Sequence, residues 1–100
     1  VVVDTDDRER ARAVAHAGVK NPYLGLVNYR RNLLRSGFSE ADLAGDGSET
    51  LIDALAPQGD AKTVAGAVNA HLAAGADHVC IQVLGDSPMA GYRALAEVLL

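Results

Sequence analysis

Only one cysteine, Cys80, occurs among the 100 residues, so no disulfide can close within the chain and a reducing cytoplasm is the expected setting. Methionine is equally scarce, with Met89 alone, and the opening Val1-Val2-Val3-Asp4 has neither the basic start nor the long apolar run of a secretory signal. Val1 to Val3 read instead as a strand already under way, which predicts a segment of something longer. No stretch approaches the roughly 20 consecutive apolar residues that span a bilayer, so no membrane partner is expected. Arginines are not interleaved with aromatic side chains, and a nucleic-acid partner is therefore not expected. His16, His71 and His78 lack metal-ligand spacing. There is no Ser-His-Asp order, Walker loop or Gly-x-Gly-x-x-Gly. The residues present predict neither a metal site nor a self-contained catalytic centre.

What is present is globular in composition, 49% hydrophobic and 22% charged, and the length allows one domain at most. The net charge of -4 is unevenly spread. Residues 1–37 hold seven Lys/Arg against four acids, a balance of +3, and residues 38–100 hold two against nine, a balance of -7. The basic part suits an anionic ligand or simply solvated helix faces.

Periodicity predicts mostly helices between two strands. Asp6 and Glu9 stand at capping-box spacing before a helix that Gly18 is placed to stop near Ala17. Asn21-Pro22 opens a second helix from Tyr23 to Ser36, with Tyr23, Val27 and Leu34 inward and Gly37 at its end. Ser39 to Asp42 is a capped turn, residues 44–48 are a loop, and Glu49 to Ala56 is a helix stopped by Pro57. Gly59-Asp60 begins the clearest unit, in which Val64, Val68 and Leu72 stack at four-residue spacing up to Gly75. His78 to Leu84 then reads as a strand buried on both faces, and Met89 to Leu100 as a closing helix with Leu95, Val98 and Leu99 inward.

Two strands so far apart cannot by themselves form a sheet of this buried parallel kind. The fold class expected is α/β, the C-terminal part of a (β/α)8 TIM-type barrel, whose complete form takes ~250 residues. It divides into residues 1–43, a strand plus a helical insert, and residues 48–100, the last helix, strand and helix. Weak stability and exposed apolar edges are expected of such a piece.

Asn28-Tyr29-Arg30-Arg31-Asn32-Leu33-Leu34-Arg35-Ser36-Gly37-Phe38-Ser39-Glu40-Ala41-Asp42-Leu43 resembles an insert found late in a subgroup of luciferase-like oxidoreductases, many of them assigned to coenzyme F420. Asp53-Ala54-Leu55 with Gly59-Asp60-Ala61 is similar to that family's approach to its penultimate barrel helix, and Gly75 to Leu84 is similar to its last strand. The resemblance spans nearly the whole chain in the expected order. Ala56-Pro57-Gln58 departs from it, where a more aromatic lead would be expected. It implies a parent that binds coenzyme F420, or alternatively FMN, at the C-terminal mouth of a barrel and passes a hydride to or from a small organic substrate. Most cofactor-binding and catalytic groups of that family come from earlier strands, so the isolated chain is expected to be inactive. The rival readings are a non-catalytic relative that binds a ligand or partner, and an unrelated α/β module that pairs as a homo-oligomer.

Gln82 leads the candidates for cofactor binding. Strand alternation puts Val79, Ile81 and Val83 on one face and His78, Cys80, Gln82 and Leu84 on the other, which aims Gln82 into the barrel. An amide there would hydrogen-bond a cofactor ring or a neighbouring strand. Gly59 and Asp60 start a helix whose N–H groups would hold an anion, unless Asp60 itself caps them. Asn28, Arg30 and Arg31 are candidates for substrate binding, with at most one arginine facing a site because neighbours on a helix diverge by about 100°. Outward pairing with Glu40 or Asp42 is the competing role. Cys80 is expected to be a small buried hydrophobe.

Overall fold

Helices cover both faces of three short extended segments that lie side by side. The computed structural model describes all residues from Val1 to Leu100. β1 (Val2–Val3) runs parallel to β2 (Gln58–Gly59), with Val2 opposite Gln58 and Val3 opposite Gly59. Val2 N donates to Pro57 O and Asp4 N to Gly59 O, both at 2.9 Å. On the other side of β1, the Val1 amino group donates to Gln82 O at 2.7 Å and Leu84 N donates to Val1 O at 2.9 Å. These two bonds flank Val83 as a parallel bridge does. β1 therefore lies in the middle, between β2 and residues 82–84.

The strand expected over His78–Leu84 is thus reached only at its end. Val1 lies opposite Val83, so residues 78–81 run past the end of β1 and find no ladder partner. Burial on both faces is not seen either. Val83 is buried and Val79, Ile81 and Leu84 partly so, while His78, Cys80 and Gln82 are exposed. Cys80 is an exposed free thiol, contrary to the buried hydrophobe expected of it.

The helices follow from their caps and apolar faces. α1 (Arg8–Lys20) is capped by Asp7, whose carboxylate accepts from Arg10 N at 3.0 Å, one residue later than the Asp6 box anticipated. It runs through Gly18 to Lys20, because Leu84 packs against that glycine; a Cβ there would stand 2.5 Å from Leu84 Cδ1. The single helix expected from Tyr23 is broken. A 3-10 turn (Tyr23–Gly25) precedes α2 (Val27–Arg35), and the shift in phase buries Leu24 and Leu33 and leaves Val27 62% exposed. α3 (Glu40–Leu43) carries a full capping box between Ser39 and Asp42. α4 (Glu49–Leu55) is capped by Ser48, α5 (Ala61–Ala73) by Asp60, and α6 (Pro88–Leu99) starts on its proline. Val64, Val68 and Leu95 are buried as their spacing predicts, but Leu72 and Val98 are exposed, one turn beyond the reach of the sheet.

Two apolar clusters result, one on each side of β1. Val2 joins Ala11, Ala15 and Val19 of α1 and Leu51 and Ile52 of α4. Val1 and Val3, pointing the opposite way, join Val64, Val83 and Leu95 under α5 and α6. The alternation of side chains along an extended backbone produces this split. The architecture is a mostly helical α/β domain with two parallel strands. A barrel stave has helices on its outer face only and its sequence neighbours beside it. Here helices flank both faces and the earliest strand is central, a small layered arrangement.

α6 reaches the sheet at Gly91, which is buried; a Cβ there would stand 2.7 Å from Val83 Cγ1 and 3.5 Å from Val3 Cβ. Gly91→Val is expected to lower stability by about 1–3 kcal/mol through overpacking, read as a lower urea midpoint at unchanged slope.

Candidate functional site

A mostly apolar cleft of about 440 Å³ opens where the parallel segments begin. Val1, Pro57 and Ile81 form its floor, Val68 and His71 of α5 one wall, and Leu33 of α2 another. Tyr23 and Tyr29 also line it, their rings tilted by 59° with centroids 4.8 Å apart. Cys80 and Gln82 reach it from the even-numbered face of residues 78–84. The Gln82 side-chain amide is exposed and makes no hydrogen bond within the chain. Gln82 therefore does line a cavity, but one at the N-terminal ends of the strands, the opposite end from the expected mouth.

The C-terminal ends of the strands are organised by carboxylates. Asp60 caps α5, accepting from Thr63 N at 2.8 Å, and the Thr63 backbone and hydroxyl hold its carboxyl below the usual range. Gly59, at φ +136°, provides the left-handed turn that precedes it. This pair starts a helix, and the Asp60 carboxylate already occupies an N–H that an anion would need.

Asp4, absent from the candidates above, is the most strongly perturbed group. Arg10 holds it bidentately, with Nε to Oδ2 at 2.7 Å and Nη2 to Oδ1 at 2.9 Å. The N–H groups of Asp6 and Asp7 donate to the same carboxylate at 3.0 and 3.1 Å. The Arg10 bond, then the backbone donors, lower its pKa from 3.8 to about 2. The one available signal was spacing: Asp4, Asp7 and Arg10 lie three apart across a helix start. Asp4, Arg10, Gly85 and Ser87 border a second crevice of about 460 Å³ between the starts of α1 and α6.

The polar cluster of α2 does not assemble a site. Arg30 Nη1 donates to Leu24 O at 3.2 Å and Leu43 O at 3.3 Å, and Nη2 reaches Glu40 Oε2 at 3.5 Å. It ties α2 to the 3-10 turn and to α3, the outward pairing that competed with a ligand role. Asn28 and Arg31 are exposed, and neither they nor Arg30 line the cleft. Tyr29 and Asn32 of the same helix do, because they fall on the adjacent stripe. Gly59 borders a different, polar hollow with Arg8 and Asp53. The candidate residues are thus spread over separate places, and only Gln82 enters the cleft. No His/Cys/Asp/Glu group of three could hold a metal ion, and no helix is long and apolar enough to cross a membrane.

No family model, curated protein or solved structure matches this chain.

Arg30→Met is expected to cost about 1–3 kcal/mol in chemical denaturation by orphaning two carbonyls, whereas Arg31→Met stays within about 0.5 kcal/mol. The Asp4 bonds stabilise the fold fully above its ordinary pKa of 3.8 and are lost as pH falls through about 2. Asp4→Asn should accordingly melt lower at neutral pH and lose part of the drop in Tm that the native chain shows over that acid window.

Proposed function

We propose that this chain is the C-terminal part of a luciferase-like (β/α)8 oxidoreductase that moves a hydride between coenzyme F420, or alternatively FMN, and a small organic substrate. The isolated chain, on this reading, is inactive. The observation that supports it is the two-sidedness of residues 78–84. Ile81 and Val83 pack under α5 and α6, while His78, Cys80 and Gln82 are exposed, as the outer and inner sides of a barrel stave would be. The similarity of Asn28 to Leu43 to the family's late insert favours F420 over FMN.

A cofactor held at the C-terminal mouth of a complete barrel would not occupy this cleft, which lies at the N-terminal ends of the strands. Gln82 offers one unpartnered amide, donor and acceptor together, at the edge of a mostly apolar cleft. No lysine or arginine lines the cleft, so a phosphorylated tail would find its partners on other strands. When bound, the cofactor would give or take the hydride, and Gln82, turned into the interior of the complete barrel, would orient its ring. The reading requires α1 to α4, which here cover the Val2 and Leu84 face, to be seated differently in a complete barrel. A second reading, a module that binds a ligand or partner without catalysis, is favoured by the apolar cleft existing in this chain alone.

Fluorescence titration with F420 and with FMN separates the two. The isolated chain is expected to bind neither, and a longer polypeptide containing it to bind F420, with Gln82→Ala weakening that affinity by about fivefold to tenfold. A longer polypeptide that takes up neither cofactor would sink the oxidoreductase reading.

A further inference from the structure

Residues 79–83 leave one edge without a strand. Gln82 O and Leu84 N are directed at Val1, Val83 N and Ile81 O point away from β1, and continued alternation would turn the Val79 groups the same way. On that outer side Tyr92 of α6 inserts its hydroxyl. Val83 N donates to Tyr92 Oη at 3.2 Å, and Tyr92 Oη lies at a longer 3.4 Å from Ile81 O, to which it donates. In a parallel neighbour, the residue opposite Gln82 would make the same pair of bonds through its C=O and N–H. A hydroxyl both accepts and donates, so this one stands in for a peptide unit.

The edge has no other guard. Natural sheets blunt free edges with charge, proline or bulges. His78-Val79-Cys80-Ile81-Gln82-Val83-Leu84 contains no Asp, Glu, Lys, Arg or Pro and alternates β-branched residues, the composition that pairs edge to edge. Every outward-facing backbone group belongs to an odd-numbered residue. A two-fold axis at Ile81 therefore sets each N–H of one copy against a C=O of the other, Val83 facing Val79. The nearest charges in the sequence, Asp77 and Asp86, lie beyond the paired residues, where the two-fold sets Asp77 of one copy near Asp86 of the other, so added salt should strengthen the pairing.

We infer that the outer edge of residues 79–83 is a strand-pairing surface for a second copy of this chain, and that the Tyr92 hydroxyl holds it shut. The inference does not rest on the oxidoreductase reading, under which a neighbouring strand of the complete barrel would occupy this edge. Tyr92 is 38% exposed, so its ring can swing outward without unpacking the core.

Tyr92→Phe, which keeps the ring and removes the hydroxyl, tests it by sedimentation velocity over a concentration series together with amide hydrogen exchange. Self-association of the variant should be at least about tenfold tighter than that of the native chain. The Val83 amide should exchange faster than native in dilute solution, then become protected along with Val79 and Ile81 as concentration rises. In the dimer Cys80 faces Gln82 of the other copy, so Tyr92→Phe combined with Gln82→Cys should form an intermolecular disulfide under mild oxidation. A variant as monomeric as the native chain overturns the inference. So does a dimer in which Val79 to Val83 stay unprotected, which would locate association at the apolar cleft instead.

Discussion

The bridge between Val1 and Val83 holds the two halves of the chain together. Without it, β1 would pair only with β2, two residues wide, and α6 would lose Val83 and rest on Val3 alone. Those bonds place Val83 beside Val1 and Val3, and the three side chains form the floor for Val64 and Leu95. Gly91 exists in this frame because the helix must come close enough for its backbone to touch Val83. The parity of β1 does the rest, since one extended residue faces each layer in turn. A segment of two residues thereby organises two helical layers.

Electrostatics ties together what the small sheet leaves loose. Arg12 bridges α1 to α4 through Glu49 at 2.6 Å and Asp53 at 3.8 Å, and Lys20 reaches Asp46 at 2.5 Å. Basic residues of the first part meet acids of the second, so the +3 and -7 halves pair with one another rather than marking out an anion site. These exposed pairs are screened by salt. The Arg30 clasp differs in kind, because its partners include the carbonyls of Leu24 and Leu43, whose positions the backbone fixes.

Much of the helical content was legible because its signals are local. Ser39 with Asp42, Ser48, and Asp60 followed by four-residue apolar spacing are caps and faces whose meaning does not depend on distant contacts. Misreadings arose where distant contacts decide. Gly18 looks like a stop, yet Leu84, 66 positions later, makes it a packing residue inside α1. The turn at Tyr23–Gly25 has no marker that separates it from a first helical turn. β2 is two residues long and contains a glycine at φ +136°, so neither periodicity nor propensity reveals it. The alternation along residues 78–84 was readable, but the exposure of Gln82 was not, since the segment reads as buried on both faces. Which cavity that face would meet depends on where β1 lies, which no spacing encodes. Asp4 escaped for a related reason: an acid before a helix is ordinary until a guanidinium six residues on, at Arg10, folds back on it.

The two apolar clusters are unequal, ten buried residues on the α1 side against three on the α5–α6 side. Local opening is expected to cost least in the thinner layer, at a free energy below that of global unfolding. A fluctuation that lifts α6 carries Tyr92 with it, so helix cover and hydroxyl leave residues 79–83 in a single event. On the strand pairing inferred above, storage at high concentration would be limited by how often that layer opens, a kinetic quantity that a melting temperature does not report.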